Sequence, residues 1–259
     1  MSTATSQSNP SPSASVNHAI ARVDAWAPWR WIRGGIDDFR ANPGLSLLYG
    51  ALFAGLSAGV YLLTSGAPWY SLGYLTGLVV IGPFLASGLY AASRDRERGI
   101  APSIERGLRL LGQRKTYLAL LSALLALVMA AWIRFSALLF AVKFNTLSPS
   151  AEAYTALFSS ADGMIALGYF VGIGFLLAVV LFVVSAVAIP FILDKDADFI
   201  TAMQTSYRAV TRNPIPMALW ATTIVALTAL GIATAFVGLA VVFPILGYAT
   251  WHSYRALVD

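Results

Sequence analysis

Few residues in this sequence belong to types that do chemistry. Two histidines are present and no cysteine, which removes disulfides, thiolate catalysis and cysteine-ligated metals. His18 stands in a Ser- and Pro-rich stretch and reads as a solvated side chain. His252, in Trp251-His252-Ser253-Tyr254, stands among interfacial aromatics at the cytoplasmic end of the sixth span, and a haem or metal site needs more partners than one imidazole. No nucleophile has a neighbouring base, no glycine loop precedes a phosphate-binding lysine, and no metalloprotease motif occurs. The expectation is no catalytic residue, no metal and no cofactor, and the missing motifs argue against an enzyme.

The charged residues leave more to weigh. Asp194, Asp196 and Asp198 carry oxygens suited to a divalent cation. They also stand before a helix, where carboxylates cap free N–H groups and oppose the dipole. Capping and solvation is the expected role, and Asp162 has the same role ahead of the fourth span. Arg134 is the only basic residue deep in an apolar run. It reads as an intramembrane anion contact, or as a side chain that snorkels from about 18 residues past Thr116 to the outer interface; snorkelling is the expectation. Pro83, Pro190 and Pro244 interrupt returning helices near one end, as gating hinges or as static kinks, with static packing expected. Arg94, Arg96, Arg98, Arg106, Arg109, Arg114 and Lys115 crowd one stretch. Within it Ile104, Leu108 and Leu111 align at helical spacing while Glu105, Arg106 and Arg109 face away. Arg106, Arg109 and Arg114 are therefore expected to hold anionic lipid headgroups, each charge worth about 1 kcal/mol at such a surface.

The elements that position these residues follow from composition. The 259 residues are 58% hydrophobic and 11% charged, with a mean hydropathy of +0.72. A soluble domain is about 45–50% apolar and about 25% charged. The apolar excess falls in runs long enough to cross a bilayer core. The net charge of +5 does not indicate nucleic acid, because the basic residues flank the apolar runs. Residues 1–25 form an expected disordered tail, and 26–259 a single transmembrane domain. Its fold class is all-α, with six transmembrane helices in three hairpins near 44–92, 116–193 and 214–254, and with interfacial amphipathic helices on the cytoplasmic side. The first of these covers 23–42, with Trp26, Trp29, Ile32, Ile36 and Phe39 on its apolar side and Arg30, Arg33, Asp37 and Arg40 opposite; Gly34-Gly35 reads as a break. The second lies at the basic cluster, and the third puts Phe199, Met203, Tyr207 and Val210 on one face.

Residues 29–92 and 199–254 repeat one pattern: an amphipathic segment ending in Asn-Pro, an outward span and a proline-bearing return. Residues 103–193 fit it loosely, with Arg114-Lys115 where the Asn-Pro corner is expected, so that junction should be straighter or placed differently. Units of equal orientation are related by an axis along the membrane normal. All but Arg134 and Lys143 of the 17 Lys and Arg residues lie on one side of this six-span topology, which places both termini in the cytoplasm.

Asp38-Phe39-Arg40-Ala41-Asn42-Pro43-Gly44, Gly82-Pro83-Phe84-Leu85, Asp194 to Phe199, Arg212-Asn213-Pro214 and Gly247 to Arg255 together resemble a family of integral membrane proteins, domain of unknown function 2189, over about 29–257. The resemblance implies a multi-pass protein of the bacterial inner membrane, and it supplies no activity or site residue. The expected function is a non-enzymatic component that organises helices, lipids or a partner protein, including a further copy of itself. The alternative is a small-solute transporter or channel.

Overall fold

The computed structural model describes residues 19–64, 82, 85–144 and 159–258, without the side chains of 136–137, 139–144, 162, 166 and 170. Among these residues every regular element is a helix. They are α1 (Ala27–Ala41), α2 (Pro43–Thr64), α3 (85–97), α4 (Ile104–Phe144), α5 (Ala161–Ser185), α6 (Ala188–Lys195), α7 (Phe199–Arg212), α8 (Pro214–Ala233) and α9 (Leu239–Leu257). Pro83, most of the return span expected at 71–92, and nearly all of the loop expected at 145–162 lie outside the described residues. Four stretches are long and apolar enough to cross a membrane: Pro43–Leu63, Ile104–Phe135, Gly163–Lys195 and Pro214–Ala233. They present Leu62, Leu63, Leu127, Phe175, Leu176 and Val225 to the outside, each more than 60% exposed. Apolar surface of that extent is suited to lipid rather than water.

The two Asn-Pro corners have the same local geometry. Asn42 ends α1 at φ −137°, ψ 61°, and Asn213 ends α7 at φ −130°, ψ 54°. Each is held out of helical geometry by the proline that follows. Each carbonyl then accepts the first bond of the next helix, from Ser46 N and from Met217 N, both at 3.0 Å. The middle unit has no such corner: α4 runs unbroken through Arg114-Lys115 for 41 residues. At about 1.5 Å per residue it is about 60 Å long, twice a bilayer core, so both ends must project.

α2 and α9 pack antiparallel along their length. Ser46 meets Tyr248 at 2.9 Å, the Phe53 and Phe243 rings stack at 4.1 Å, and Tyr61 lies 5.5 Å from Phe236. The approach depends on Gly50, where an added Cβ would stand 1.9 Å from the Ala240 carbonyl oxygen. α1 lies on the other end of α9. Gly34-Gly35 does not break it; a Cβ on Gly35 would stand 2.5 Å from Ile245 O, so the glycines let the two backbones meet. This contact sets which face of α1 is buried. Ala27, Pro28, Trp31, Ile32, Gly35 and Asp38 face the protein, and Trp31 packs edge-on against Trp220 at 5.7 Å. Trp26 and Trp29, expected beside Ile32, are exposed.

The fourth expected span is two helices. α5 ends at Ser185 and α6 starts at Ala188, ahead of Pro190. Ser206 of α7 reaches into the gap, donating to Val183 O at 2.8 Å and accepting from Val187 N at 3.4 Å. A hydroxyl inserted in the ladder is a recognised cause of a kink. Pro244, by contrast, sits inside a continuous α9. Ser160 caps α5 by accepting from Gly163 N at 3.0 Å, so the helix begins ahead of Asp162, the expected cap. The turn joining α8 to α9 is closed by Thr234, whose hydroxyl donates to Gly231 O and accepts from Gly238 N, both at 2.8 Å.

Candidate functional site

The described carboxylates at one end of the bundle join α1, α3, α4, α6 and α9 into a single polar network. Its most buried carboxylate is Asp38, 3% exposed. It accepts from Ser93 Oγ and is ion-paired with Arg96, both from α3, and meets His252 Nε2 of α9 at 3.1 Å. Burial pushes the Asp38 carboxyl pKa up, but the bonds from His252, Ser93 and Arg96 outweigh it and hold the group below its ordinary value. Ser93 bonds the carboxylate rather than the imidazole, so these residues do not form a nucleophile–base relay.

The other four residues of Ser93-Arg94-Asp95-Arg96-Glu97-Arg98, with Asp194, extend the network. Asp95, 5% exposed, takes Arg106 Nε of α4 at 2.9 Å. Glu97 accepts from Trp251 Nε1 at 2.9 Å and pairs with Arg255 at 3.3 Å. Arg94 donates to Leu193 O at 3.4 Å. Asp194 of α6 accepts from Tyr254 OH at 2.7 Å and lies 3.8 Å from Arg98 and 3.9 Å from Arg255. Helical spacing makes this reach available: 93, 96 and 97 turn toward α1 and α9, 95 toward α4, and 94 and 98 toward α6. Gly99, at φ +71°, then ends α3.

The expected site residues take their places around this network. Arg106 is held by Asp95, and Arg114, with its side chain 21% exposed, pairs with Asp196. Arg109 pairs with Glu105 at 2.6 Å, both well exposed. Arg134 is exposed near the end of the Ile104–Phe135 stretch. The three aspartates expected either to cap or to bind a cation go separate ways. Asp194 and Asp196 are in ion pairs, whereas Asp198 caps α7, accepting from Ile200 N at 2.9 Å and Thr201 N at 3.0 Å. The hydrogen bonds from Thr201, hydroxyl first, hold the Asp198 carboxyl below its ordinary pKa. Among the described residues no group of three His, Cys, Asp or Glu is placed to hold a metal ion.

Sequence reasoning missed Asp38 and the partner of His252, which are 214 positions apart. It also gave no partners to the charges of 94–98, where the alternation of sign in Arg94-Asp95-Arg96-Glu97-Arg98 was the signal that they pair.

Residues 71–194 match the family of predicted integral membrane proteins DUF2189. The chain is an integral membrane protein, and the match includes Ser93 to Arg98, all of the described α4 and Asp194. The network's other members, Asp38, Trp251, His252, Tyr254 and Arg255, lie outside the DUF2189 match. No curated protein and no solved structure matches the chain.

Proposed function

We propose that this protein is a non-enzymatic component of the bacterial inner membrane that organises helices and anionic lipid, with six crossings in three hairpins and both termini in the cytoplasm. The observation that carries the reading is the distribution of charge. Charged side chains tie helix ends together at one end, while the cavity of about 220 Å³ between α2, α3, α8 and α9 is lined mainly by apolar residues such as Phe53, Ala86, Ile224, Leu239 and Phe243. A solute pathway calls for polar or ionisable groups at depth. A sixth crossing is supported by α9, which with the turn before it accompanies the Pro43–Leu63 stretch antiparallel from Phe236 to Tyr248. The abundance of Lys and Arg at the network end supports its cytoplasmic placement, and Arg106, Arg109 and Arg114 there contribute to anionic headgroup binding.

The transporter or channel reading rests on the α5–α6 break, where a proline follows a ladder already opened by Ser206. Native mass spectrometry of the purified protein separates the two. Retained phosphatidylglycerol or cardiolipin that declines in the triple variant Arg106→Gln/Arg109→Gln/Arg114→Gln supports the lipid-organising reading. A bound small solute without retained lipid contradicts it.

A further inference from the structure

The face that α1 leaves exposed has a composition of its own. Trp26, Trp29, Arg30, Arg33, Asp37 and Arg40 share one helix face, and all six are exposed, Trp26 by 76% and Trp29 by 67%. Two indoles on one stripe are poorly served by water; a membrane interface accepts both the ring and its N–H. Arg30 is paired with Asp24 at 3.0 Å. Arg33 and Arg40, with Arg22 just upstream, make no ion pair among the described residues, and Asp37 is the stripe's only acid. At the Asn42 corner α1 meets the start of the Pro43–Leu63 stretch, and Leu47 and Leu48 are already 45% and 53% exposed. Outward apolar surface thus begins about 6–8 Å along α2 from the corner.

We propose that Trp26, Trp29, Arg33 and Arg40 form a contact surface for anionic lipid, the indoles seated at the headgroup–acyl boundary and the guanidiniums on headgroup phosphates. The proposal rests on the reading that the network end meets the anionic leaflet. It adds a contact distinct from Arg106, Arg109 and Arg114, whose guanidiniums are engaged by Asp95, Glu105 and Asp196.

The test uses the full chain in nanodiscs of phosphatidylcholine with phosphatidylglycerol, reading tryptophan quenching by brominated forms of each lipid. Trp26→Phe with Trp29→Phe should remove a distinct bromolipid-quenched part of the emission. Arg33→Gln with Arg40→Gln should reduce the preference for brominated phosphatidylglycerol by roughly twofold or more. All four side chains are exposed on one helix face, so helix content should be kept; if a double variant does not fold, Trp29→Phe and Arg33→Gln alone carry the same signs. Unchanged bromolipid quenching, with aqueous acrylamide quenching lost instead, would put the stripe in water and overturn the proposal. A preference that survives Arg33→Gln/Arg40→Gln but disappears in Arg106→Gln/Arg109→Gln/Arg114→Gln sinks this surface and leaves the lipid-organising reading standing. No preference in the unmodified protein contradicts both.

Discussion

Asp38 follows an aspartate of opposite fate. Asp37 points outward, as helical spacing from Arg30 and Arg33 requires, while Asp38 shares the buried stripe of Trp31 and Gly35. A carboxylate in that stripe must find partners, because an unpaired buried charge is far costlier than a paired one. It finds them on α3 and α9. Asp38→Asn should therefore lower stability by about 3 kcal/mol, near the bottom of the range for breaking a buried pair because Arg96 is 43% exposed. The pH dependence has a definite sign. The Asp38 pKa is lowered on folding, so its contribution is present above the ordinary carboxylate range and disappears as pH falls through the lowered value. Thermal melts in detergent should show a full gap between unmodified protein and Asp38→Asn at neutral pH, closing in acid below that range. A gap that is constant across pH would mean the carboxylate contributes by shape alone.

At the scale of elements, existence was legible and facing was not. The positions of α1, α2, α7 and α8 and both Asn-Pro corners follow from apolar spacing and from proline sterics, and the two corners adopt one conformation. The missing corner in the middle unit was legible as well, since Arg114-Lys115 gives the backbone no reason to leave the helix. The apolar side read for α1 joins residues that the fold separates: Ile32 faces the protein while Trp26 and Trp29 face out. The face that packs closest to α9 is built on Gly35, where a small side is needed for backbone approach. Pro190 marked the α5–α6 break in the sequence, but the part of Ser206, which enters the ladder there from a different helix, was beyond a local reading. Gly50→Ala should accordingly disrupt the α2–α9 seam, costing about 1–3 kcal/mol or more as overpacking against a backbone carbonyl. Gly112→Ala, with nothing within 4 Å of the added methyl, should raise stability by up to about 1 kcal/mol through helix propensity. Melting temperatures that shift alike for both would contradict the close-approach account.

For the whole molecule, the sequence revealed the solvent more readily than the assembly. Long uncharged runs mark lipid, and four of them appear as helices of spanning length. The charge network was not legible as a unit, because its members come from residue 38 to residue 255 and only folding brings them together. It places three fully buried aromatic residues, Trp251, Tyr254 and Phe191, beside the charged helix ends. α1, α3, α6 and the C-terminal end of α9 thus form a packed base from which the spans rise. On this account the base faces the cytoplasm and the α8–α9 turn the opposite side. Single cysteines in this cysteine-free chain test that most directly, at Glu105, 77% exposed at the network end, and at Val237, 72% exposed in the turn. With a membrane-impermeant thiol reagent on intact spheroplasts, Val237→Cys should label at once and Glu105→Cys only after permeabilisation. Labelling of Glu105→Cys from outside, or protection of Val237→Cys until the membrane is opened, would contradict the orientation on which the functional reading depends.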